Sequence, residues 1–249
     1  AGLQPESVSV RARSGTGVPQ RFAAPASAQT FNGQQQAEIR AIVREYLVNN
    51  PDVLREAIDS LQARTDADRW RTIKSDPRDF SIGPADAPIT IVEFYDYRCG
   101  FCHAAQQWVM DVQRSRRDVR IVLKEFPILT PQSMEAARAA LAAAPQGRYW
   151  QFHTALMAHP LDQELSSDAI DRIARSVGID VPRMRRAMGS EDITRLLEDN
   201  RGHALDLSPN PATPLFMING EMVQGFNQEQ LERRLREATQ EARQRRARR

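Results

Sequence analysis

The sequence reads ITIVEFYDYRCGFCH over residues 89–103, and this stretch decides the fold. Its first part, Ile89–Tyr95, is mostly β-branched and aromatic, with Glu93 as its one charged residue, which predicts a buried strand. The segment from Cys99 to Arg114 has the apolar spacing of a helix. The two cysteines of the chain, Cys99 and Cys102, therefore stand at a strand-to-helix junction.

The spacing of the cysteine pair limits its chemistry. A disulfide across two intervening residues closes a very short loop. It therefore removes little entropy from the unfolded chain and stabilises the folded state only slightly. The pair is therefore expected to be redox-active, metal-binding or cofactor-attaching. At a helix N-terminus, free backbone N–H groups and the helix dipole favour a thiolate. Cys99 is then the nucleophile and Cys102 the resolving thiol, in an exchange that needs no metal and no organic cofactor.

Other chemistries use the same residues. Cys99 to His103 also reads C-x-x-C-H, the attachment motif of c-type haem, but a β-branched strand before the motif disfavours a haem-enclosing helical fold. Zinc would need four ligands, and the chain has two cysteines and four histidines with no second pair near the first. Cu(I) needs only two or three sulfur or nitrogen ligands, so copper binding by Cys99 and Cys102 stays open as the alternative.

Composition divides the chain into three segments. Residues 1–33 are rich in small and polar residues without periodicity, which predicts a flexible tail. Residues 34–76 predict a helical arm, in which Asn50-Pro51 ends one helix and starts a second that runs to about Arg64. The charged residues 65–76 are interpreted as helix end or linker. The apolar stripe of this arm must be buried somewhere, either against its own domain or against copies of itself, so the arm is a candidate oligomerisation region.

Residues 77–249 are expected to form the catalytic domain. A block of helices is predicted over about 131–206, followed by the closing amphipathic helix Gln228–Gln244. Strands are predicted at Ile89–Tyr95, Val119–Phe126, Leu215–Asn219 and Glu221–Gln224. The last two flank Asn219-Gly220, a two-residue hairpin signal. This order resembles an α/β thioredoxin-like fold with an inserted helical subdomain, here preceded by an N-terminal helical arm.

Two separated motifs resemble those of DsbA-like thiol–disulfide oxidoreductases of the thioredoxin superfamily. Residues 92–103 resemble their active-site strand and helix start, and residues 212–220, ATPLFMING, resemble their cis-proline loop with the strand and turn that follow. The resemblance implies that Pro214 is cis and faces the cysteines. It also implies that Thr213 pairs its backbone with a bound substrate peptide. The cysteines enclose Gly-Phe instead of Pro-His, which suggests a milder oxidant.

Three further side chains are candidates for the catalytic site. Glu93 lies six residues before Cys99 on the predicted buried strand, where a carboxylate is costly without a function or a partner. In thioredoxin-like proteins, an acid at this spacing lies beneath the resolving cysteine and shuttles its proton. Lys124, on the second predicted strand, is the expected partner of Glu93. His103 is expected either to tune the thiols or to lie on the exposed first turn of the helix.

The arm carries a second resemblance. Residues 38–54 resemble the N-terminal arm of a DsbA-like subgroup that includes the ScsC proteins, associated with copper tolerance, some of which form trimers through such arms. A trimer would set several active sites around one cavity, which favours a disulfide isomerase or reductase over a pure oxidase. The implied partners are unfolded or misfolded protein substrates and a membrane redox protein. The implied location is the periplasm or another exported compartment.

The charge of the chain is close to balanced, apart from its arginine-rich end. The net charge is +2, and Lys74 and Lys124 are the only lysines. We expect no nucleic-acid partner. The arginine-rich end, residues 243–249, is interpreted as a solvated helix end, with an electrostatic patch for a membrane or an acidic partner as the alternative. The chain begins at Ala1 and not at Met, so an N-terminus that has been processed or trimmed is expected.

Overall fold

The structure is a computed structural model that describes residues 31–248. The predicted tail over residues 1–33 therefore lies outside the described residues, apart from its last three positions. Asn32 caps the first helix by accepting a hydrogen bond from the Gln35 backbone at 2.9 Å, and the Gln35 side chain returns a bond to the Asn32 backbone at 3.0 Å. This capping box starts the first helix of the arm.

Two helices form the arm, α1 over Gly33–Asn49 and α2 over Pro51–Lys74. Pro51 stands at the first position of α2, as predicted. Helix α2 continues past Arg64 to Lys74, so of the two interpretations of residues 65–76 the helix end is confirmed and the linker is wrong. Its last turns are charged but still helical, because their charges pair at helical spacing: Arg69 with Asp66 and Arg71 with Asp68, each at 2.8 Å. Two compact units divide the chain, one ending at Ala57 and the other starting at Ile58.

Five strands form one sheet in the second unit, in the order β1-β3-β2-β4-β5. Their bounds are β1 Phe80–Ile82, β2 Ile89–Tyr95, β3 Val119–Glu125, β4 Leu215–Ile218 and β5 Glu221–Gln224. Strands β2 and β3 are parallel, and the other pairs are antiparallel. The sequence did not predict β1, because three residues are too few to show a period. The remaining strands match the predictions to within one residue.

Helices fill the rest of the second unit. Helix α3, Gly100–Ser115, joins β2 to β3, and α9, Gln228–Ala247, follows β5. Five helices lie between β3 and β4: α4 Pro131–Ala143, α5 Tyr149–Met157, α6 Ser167–Ser176, α7 Val181–Ala187 and α8 Glu191–Leu207. This arrangement confirms the predicted α/β thioredoxin-like fold with a helical insertion and an N-terminal helical arm.

Both faces of the sheet are covered, so every residue of β2 is buried. Ile91 and Tyr95 belong to the larger apolar core together with α3. Phe94 belongs to a smaller core on the other face. In the register of β2 and β3, Glu93 lies beside Leu123, whereas Lys124 lies beside Phe94. Because successive side chains of a strand point to opposite faces, Glu93 and Lys124 lie on opposite faces of the sheet.

The expectation that Lys124 is the partner of Glu93 is therefore wrong. The Lys124 ammonium forms a fully buried ion pair with Asp79 and donates to Asn200 Oδ1 at 3.0 Å. It also lies 5.9 Å from the centre of the Phe94 ring. These contacts tie the loop before β1 and helix α8 to the far face of the sheet, so the described contacts of Lys124 are structural.

Removal of one member of the buried Lys124–Asp79 pair should destabilise the protein. Lys124→Met leaves the Asp79 carboxylate buried without a cation, and we expect the free energy of unfolding to fall by roughly 3–5 kcal/mol. The double variant Asp79→Asn/Lys124→Met removes both charges and should be clearly more stable than Lys124→Met. Urea unfolding of the three proteins measures the difference. Equal stability of the single and double variants would contradict the assignment.

Candidate active site

The cysteines stand where β2 passes into α3. Cys99 is the residue before the first helical turn, with extended backbone angles (φ −86°, ψ 116°). Its backbone N–H donates to the Asp96 carbonyl at 3.1 Å, and its carbonyl accepts from the His103 N–H at 3.0 Å. Cys102 follows one turn into the helix. Both thiols are free; Cys99 keeps a slight exposure of 6%, and Cys102 has none.

The surroundings of Cys99 favour its ionised form. The pKa of Cys99 is lowered to about 6, chiefly by hydrogen bonding from the Cys102 thiol. Partial burial opposes this shift, while hydrogen bonds with Thr213 and with the backbone N–H groups of Phe101 and Cys102 add to it. These N–H groups belong to the first turn of α3, the part of a helix that leaves donors free. At neutral pH, Cys99 is therefore mostly a thiolate.

The opposite holds for Cys102. Its pKa is raised far above the ordinary thiol value, first by burial, then by its hydrogen bond to Cys99 and by the nearby charge of Glu93. Cys102 therefore keeps its proton while Cys99 has lost one. This asymmetry agrees with the two roles that the sequence predicts, a nucleophile that is ready to attack and a resolving thiol that must first be deprotonated.

The Thr213–Pro214 peptide bond is cis, so the backbone state that the family resemblance implied for Pro214 is confirmed. The Cys99 Sγ atom lies 3.2 Å from the Thr213 carbonyl oxygen, to which the protonated thiol donates. The Pro214 carbonyl accepts from the Gly225 N–H at 2.8 Å, which joins this loop to the end of β5. The structure thus brings Thr213 and the cysteines together, although more than a hundred residues separate them in the sequence.

Glu93 lies on the face of the sheet that carries the cysteines. Its side chain is buried, and its pKa is raised to about 8, first by burial and then by the negative charge on Cys99. Its Oε2 atom has no hydrogen-bond partner among the described residues. Because the charge of Glu93 in turn raises the pKa of Cys102, the carboxyl and the resolving thiol are electrostatically coupled. A buried carboxyl with a pKa near neutrality can accept or release a proton there.

His103 lies on the first turn of α3 and is half-buried. Its Nε2 atom is 2.8 Å from the Tyr97 carbonyl oxygen, so Nε2 must carry the proton that is donated. In the described structure, the His103 side chain therefore donates to the loop that precedes the cysteines. It fixes the backbone of that loop to the start of the helix.

Asp96 is a buried residue of the site that the sequence analysis missed. Its Oδ1 accepts from the Arg98 N–H at 2.7 Å, and its Oδ2 accepts from the Ile128 and Leu129 N–H groups at 2.8 and 3.0 Å. One carboxylate thus ties the cysteine loop to the loop after β3. The available signal was an acid directly after an apolar strand and three residues before the first cysteine.

A second missed group lies behind the same loop. The Glu125 Oε1 atom accepts from the hydroxyl groups of Tyr95, Tyr97 and Tyr149 at 2.6, 2.9 and 2.7 Å. Burial raises the pKa of Glu125 to about 8, although the three hydroxyls oppose the shift. Burial also lowers the pKa of His153 to about 3, so this ring beside Tyr97 is neutral. The cluster holds Tyr97, and with it the cysteine loop, against the helical insertion.

Apolar side chains surround the cysteines at the surface. Phe101 is 66% exposed, and the loops held by Asp96 and Arg98 carry Leu129 and Leu161, which are 51% and 39% exposed. Arg98 holds the second of these loops through the Leu161 carbonyl, at 2.6 Å. Large exposed apolar side chains near a reactive thiol offer contacts to an apolar substrate.

The site geometry agrees with the matches to known families. A profile described as thioredoxin matches residues 75–237, and one described as the N-terminal domain of the copper resistance protein ScsC matches residues 35–67. The chain belongs to the thioredoxin family. Within it, the chain is of the DsbA-like, ScsC-like type, as the resemblance of the cysteine motif, the proline loop and the arm implied.

Solved structures extend this likeness. A thioredoxin-like oxidoreductase from Silicibacter pomeroyi DSS-3 is 35% identical, with a TM-score of 0.63 over 68% of this chain and 96% of that one. A linker-deletion variant of Proteus mirabilis ScsC is 25% identical, with a TM-score of 0.63 over 87% of this chain and all of that one.

Curated relatives include much longer proteins. The Na⁺/H⁺ antiporter NhaA 3 of Salinispora tropica is 35% identical over 151 residues, which are 59% of this chain and 22% of the antiporter. NhaA 1 of Mycobacterium sp. strain KMS is 34% identical over 155 residues, 24% of its length. The chain thus spans less than a quarter of these relatives. Among residues 31–248, no helix is long and apolar enough to cross a membrane.

The raised pKa of Glu93 predicts a pH dependence of stability. Between its unfolded value near 4.5 and its folded value near 8, the native protein holds a proton that the unfolded chain has lost, so stability falls as pH rises through this window. Glu93→Gln cannot lose that proton. Relative to wild type, we expect the variant to gain stability by up to about 1.4 kcal/mol per pH unit across the window.

Urea unfolding between pH 5 and about 8 measures this difference. The matched control is Glu198→Gln, which neutralises an exposed carboxyl on α8. Its unfolding free energy should stay parallel to that of wild type. If Glu93→Gln is parallel to wild type as well, Glu93 does not hold a proton in the folded protein.

Proposed function

We propose that the chain is a protein thiol–disulfide oxidoreductase that exchanges disulfides with unfolded or misfolded exported proteins. The observation that carries this proposal is the opposed shift of the two thiols. Cys99 has a pKa of about 6 at the start of α3, whereas the pKa of the buried Cys102 is raised. A thiolate beside a protonated partner is the arrangement that starts exchange and then resolves it.

The reductive half of the exchange moves two electrons from the chain to a client protein. The Cys99 thiolate attacks one sulfur of a client disulfide, the client S–S bond breaks, and the departing client thiolate takes a proton from water. The mixed disulfide removes the negative charge on Cys99 that helps to raise the pKa of Glu93, so Glu93 releases its proton to water. Cys102 then gives its proton to the Glu93 carboxylate and attacks the Cys99 sulfur. The second client thiolate leaves and is protonated. The client gains two electrons, and the chain holds a Cys99–Cys102 disulfide, which a membrane redox partner protein would reduce again.

Client binding has two supports in the structure. The backbone of Thr213 lies within hydrogen-bond distance of Cys99, where an extended peptide could pair with it as an added strand. Around this point, Phe101, Leu129 and Leu161 are exposed. Unfolded chains offer apolar side chains and unpaired backbone together, which folded proteins rarely do. This combination favours unfolded clients.

The arm supports an oligomer, with a homotrimer favoured. Ile42, Val48, Ile58 and Leu61 are each at least 60% exposed, an unusual number of large apolar side chains for solvated helices. Contact between copies of the arm would bury them, and the ScsC match covers this segment. Several active sites on one assembly would favour isomerase or reductase activity over pure oxidation. The proposed location is the periplasm or another exported compartment, where disulfides form and persist.

A copper-handling role is the second candidate. The match of residues 35–67 to the N-terminal domain of a copper resistance protein favours it. The ligands would be the thiolates of Cys99 and Cys102, which suit a soft Cu(I) ion. The enzyme and the copper protein would use the same two sulfur atoms.

Arm variants separate the assembly from the chemistry. Light scattering should give wild type three times the 28.1 kDa chain mass. Ile42→Lys/Leu54→Lys places charges in the apolar stripe and should give the mass of one chain. It should keep insulin reduction but lose most reactivation of scrambled ribonuclease. The control Gln34→Lys/Gln62→Lys adds the same charge at exposed polar positions and should behave as wild type.

Two results would contradict the proposal. A wild type with the mass of one chain would remove the basis of the isomerase preference. Stoichiometric Cu(I) binding by the reduced protein, lost in Cys99→Ser and accompanied by no turnover of insulin or scrambled ribonuclease, would replace the enzyme with the copper protein.

A further inference from the structure

A positively charged recess lies in the second unit, away from the cysteines. Helix α9, the last turn of α2 and the turn between α3 and β3 enclose it, with a volume of about 920 Å³. A smaller recess of about 700 Å³ adjoins it and shares Arg117, Asp118 and Arg243. The arginine-rich chain end is thus one wall of a concave surface.

The charge of this surface is unbalanced. Seven basic side chains line the two recesses, against the two carboxylates Asp86 and Asp118. Asp118 is already engaged by Arg116, through two hydrogen bonds of 2.8 and 2.9 Å. In the part of the chain that the structure describes, Arg117, Arg243 and Arg246 form no ion pair within 4.0 Å. Five net positive charges thus remain on one surface.

The walls of the recess are fixed by other contacts. Arg116 also donates to Thr239 on α9 at 2.9 Å, which joins the turn before β3 to the C-terminal helix. Trp70 packs beside Gly220, and the Lys74 ammonium lies 5.5 Å from the centre of the Trp70 ring. These contacts hold the rim of the recess, which includes the indole of Trp70.

The recess lies at the far end of the sheet from the redox site. Pro88, which lines it, directly precedes β2, whereas Cys99 follows the other end of that strand. Seven residues of strand span roughly 23 Å. A ligand in the recess would therefore leave the thiols and the apolar surface around them free.

We propose that this recess binds anions that carry several phosphate groups. Guanidinium groups match phosphate oxygens with paired hydrogen bonds, and a surplus of five charges exceeds what one carboxylate ligand would need. Several phosphate groups come together in free polyphosphates and, one on each lipid, at the surface of an anionic membrane. The site does not depend on the thiol chemistry, and it gives the arginine-rich chain end a function.

The test compares two variants of the full chain with equal loss of charge. Arg117→Gln/Arg243→Gln/Arg246→Gln removes three cations of the recess. The control, Arg172→Gln/Arg183→Gln/Arg201→Gln, removes three exposed arginines from α6, α7 and α8. Calorimetry with tripolyphosphate measures the free anion. Sedimentation with phosphatidylcholine vesicles, with and without phosphatidylglycerol, measures the membrane surface.

Wild type and control should bind tripolyphosphate or the phosphatidylglycerol vesicles at least about tenfold more tightly than the recess variant. Binding should weaken as salt is added. The probe for which the affinities differ in this way shows whether the recess binds a free polyphosphate or the phosphates of a membrane surface. The proposal is overturned if wild type binds neither probe, if the control loses as much affinity as the recess variant, or if polyglutamate binds as tightly as tripolyphosphate. Thermal unfolding of both variants confirms that they are folded.

Discussion

The hydrogen bond from the Cys102 thiol to the Cys99 sulfur is the interaction on which the site depends. It is the largest cause of the lowered pKa of Cys99, and it also raises the pKa of Cys102. One contact therefore favours the thiolate at Cys99 and adds to burial in keeping Cys102 protonated. The contact requires both sulfurs on the first turn of one helix, which in turn requires that α3 start directly after the buried strand β2. The carboxyl of Glu93 on that strand adds a proton acceptor on the same face.

The rest of the fold brings distant groups to this helix start. Pairing of β2 with β4 sets Phe94 beside Leu215, so the residues just before β4, Thr213 and Pro214, arrive next to Cys99. Asp96 fixes the loop after β3 in the same way, through backbone hydrogen bonds. The Cys99 sulfur thus has the backbone of Thr213 on one side and, on the other, apolar side chains on loops that polar side chains hold in place.

Much of this could be predicted from the sequence, because the signals are local. Strand β2 was predicted to the residue, and the cysteine and proline motifs led to the site and to the cis bond. The error over Lys124 has a different origin. A strand buried on both faces shows no alternation of polar and apolar residues, so its sequence does not reveal which face a side chain occupies. The hydrogen bonds of Asp96 and Glu125 join segments that are far apart in the chain. Such contacts produce no periodic pattern in the sequence, so they could not be predicted from it.

Alkylation of the reduced protein across pH tests the central claim most directly. The rate of reaction of Cys99 with iodoacetamide should follow a titration with a midpoint of about 6 in wild type. Cys102→Ala removes the donor and should move that midpoint up towards the ordinary thiol value, while Cys102→Ser keeps a hydroxyl donor and should move it less. A wild-type midpoint near 9, or equal midpoints in wild type and Cys102→Ala, would contradict the account.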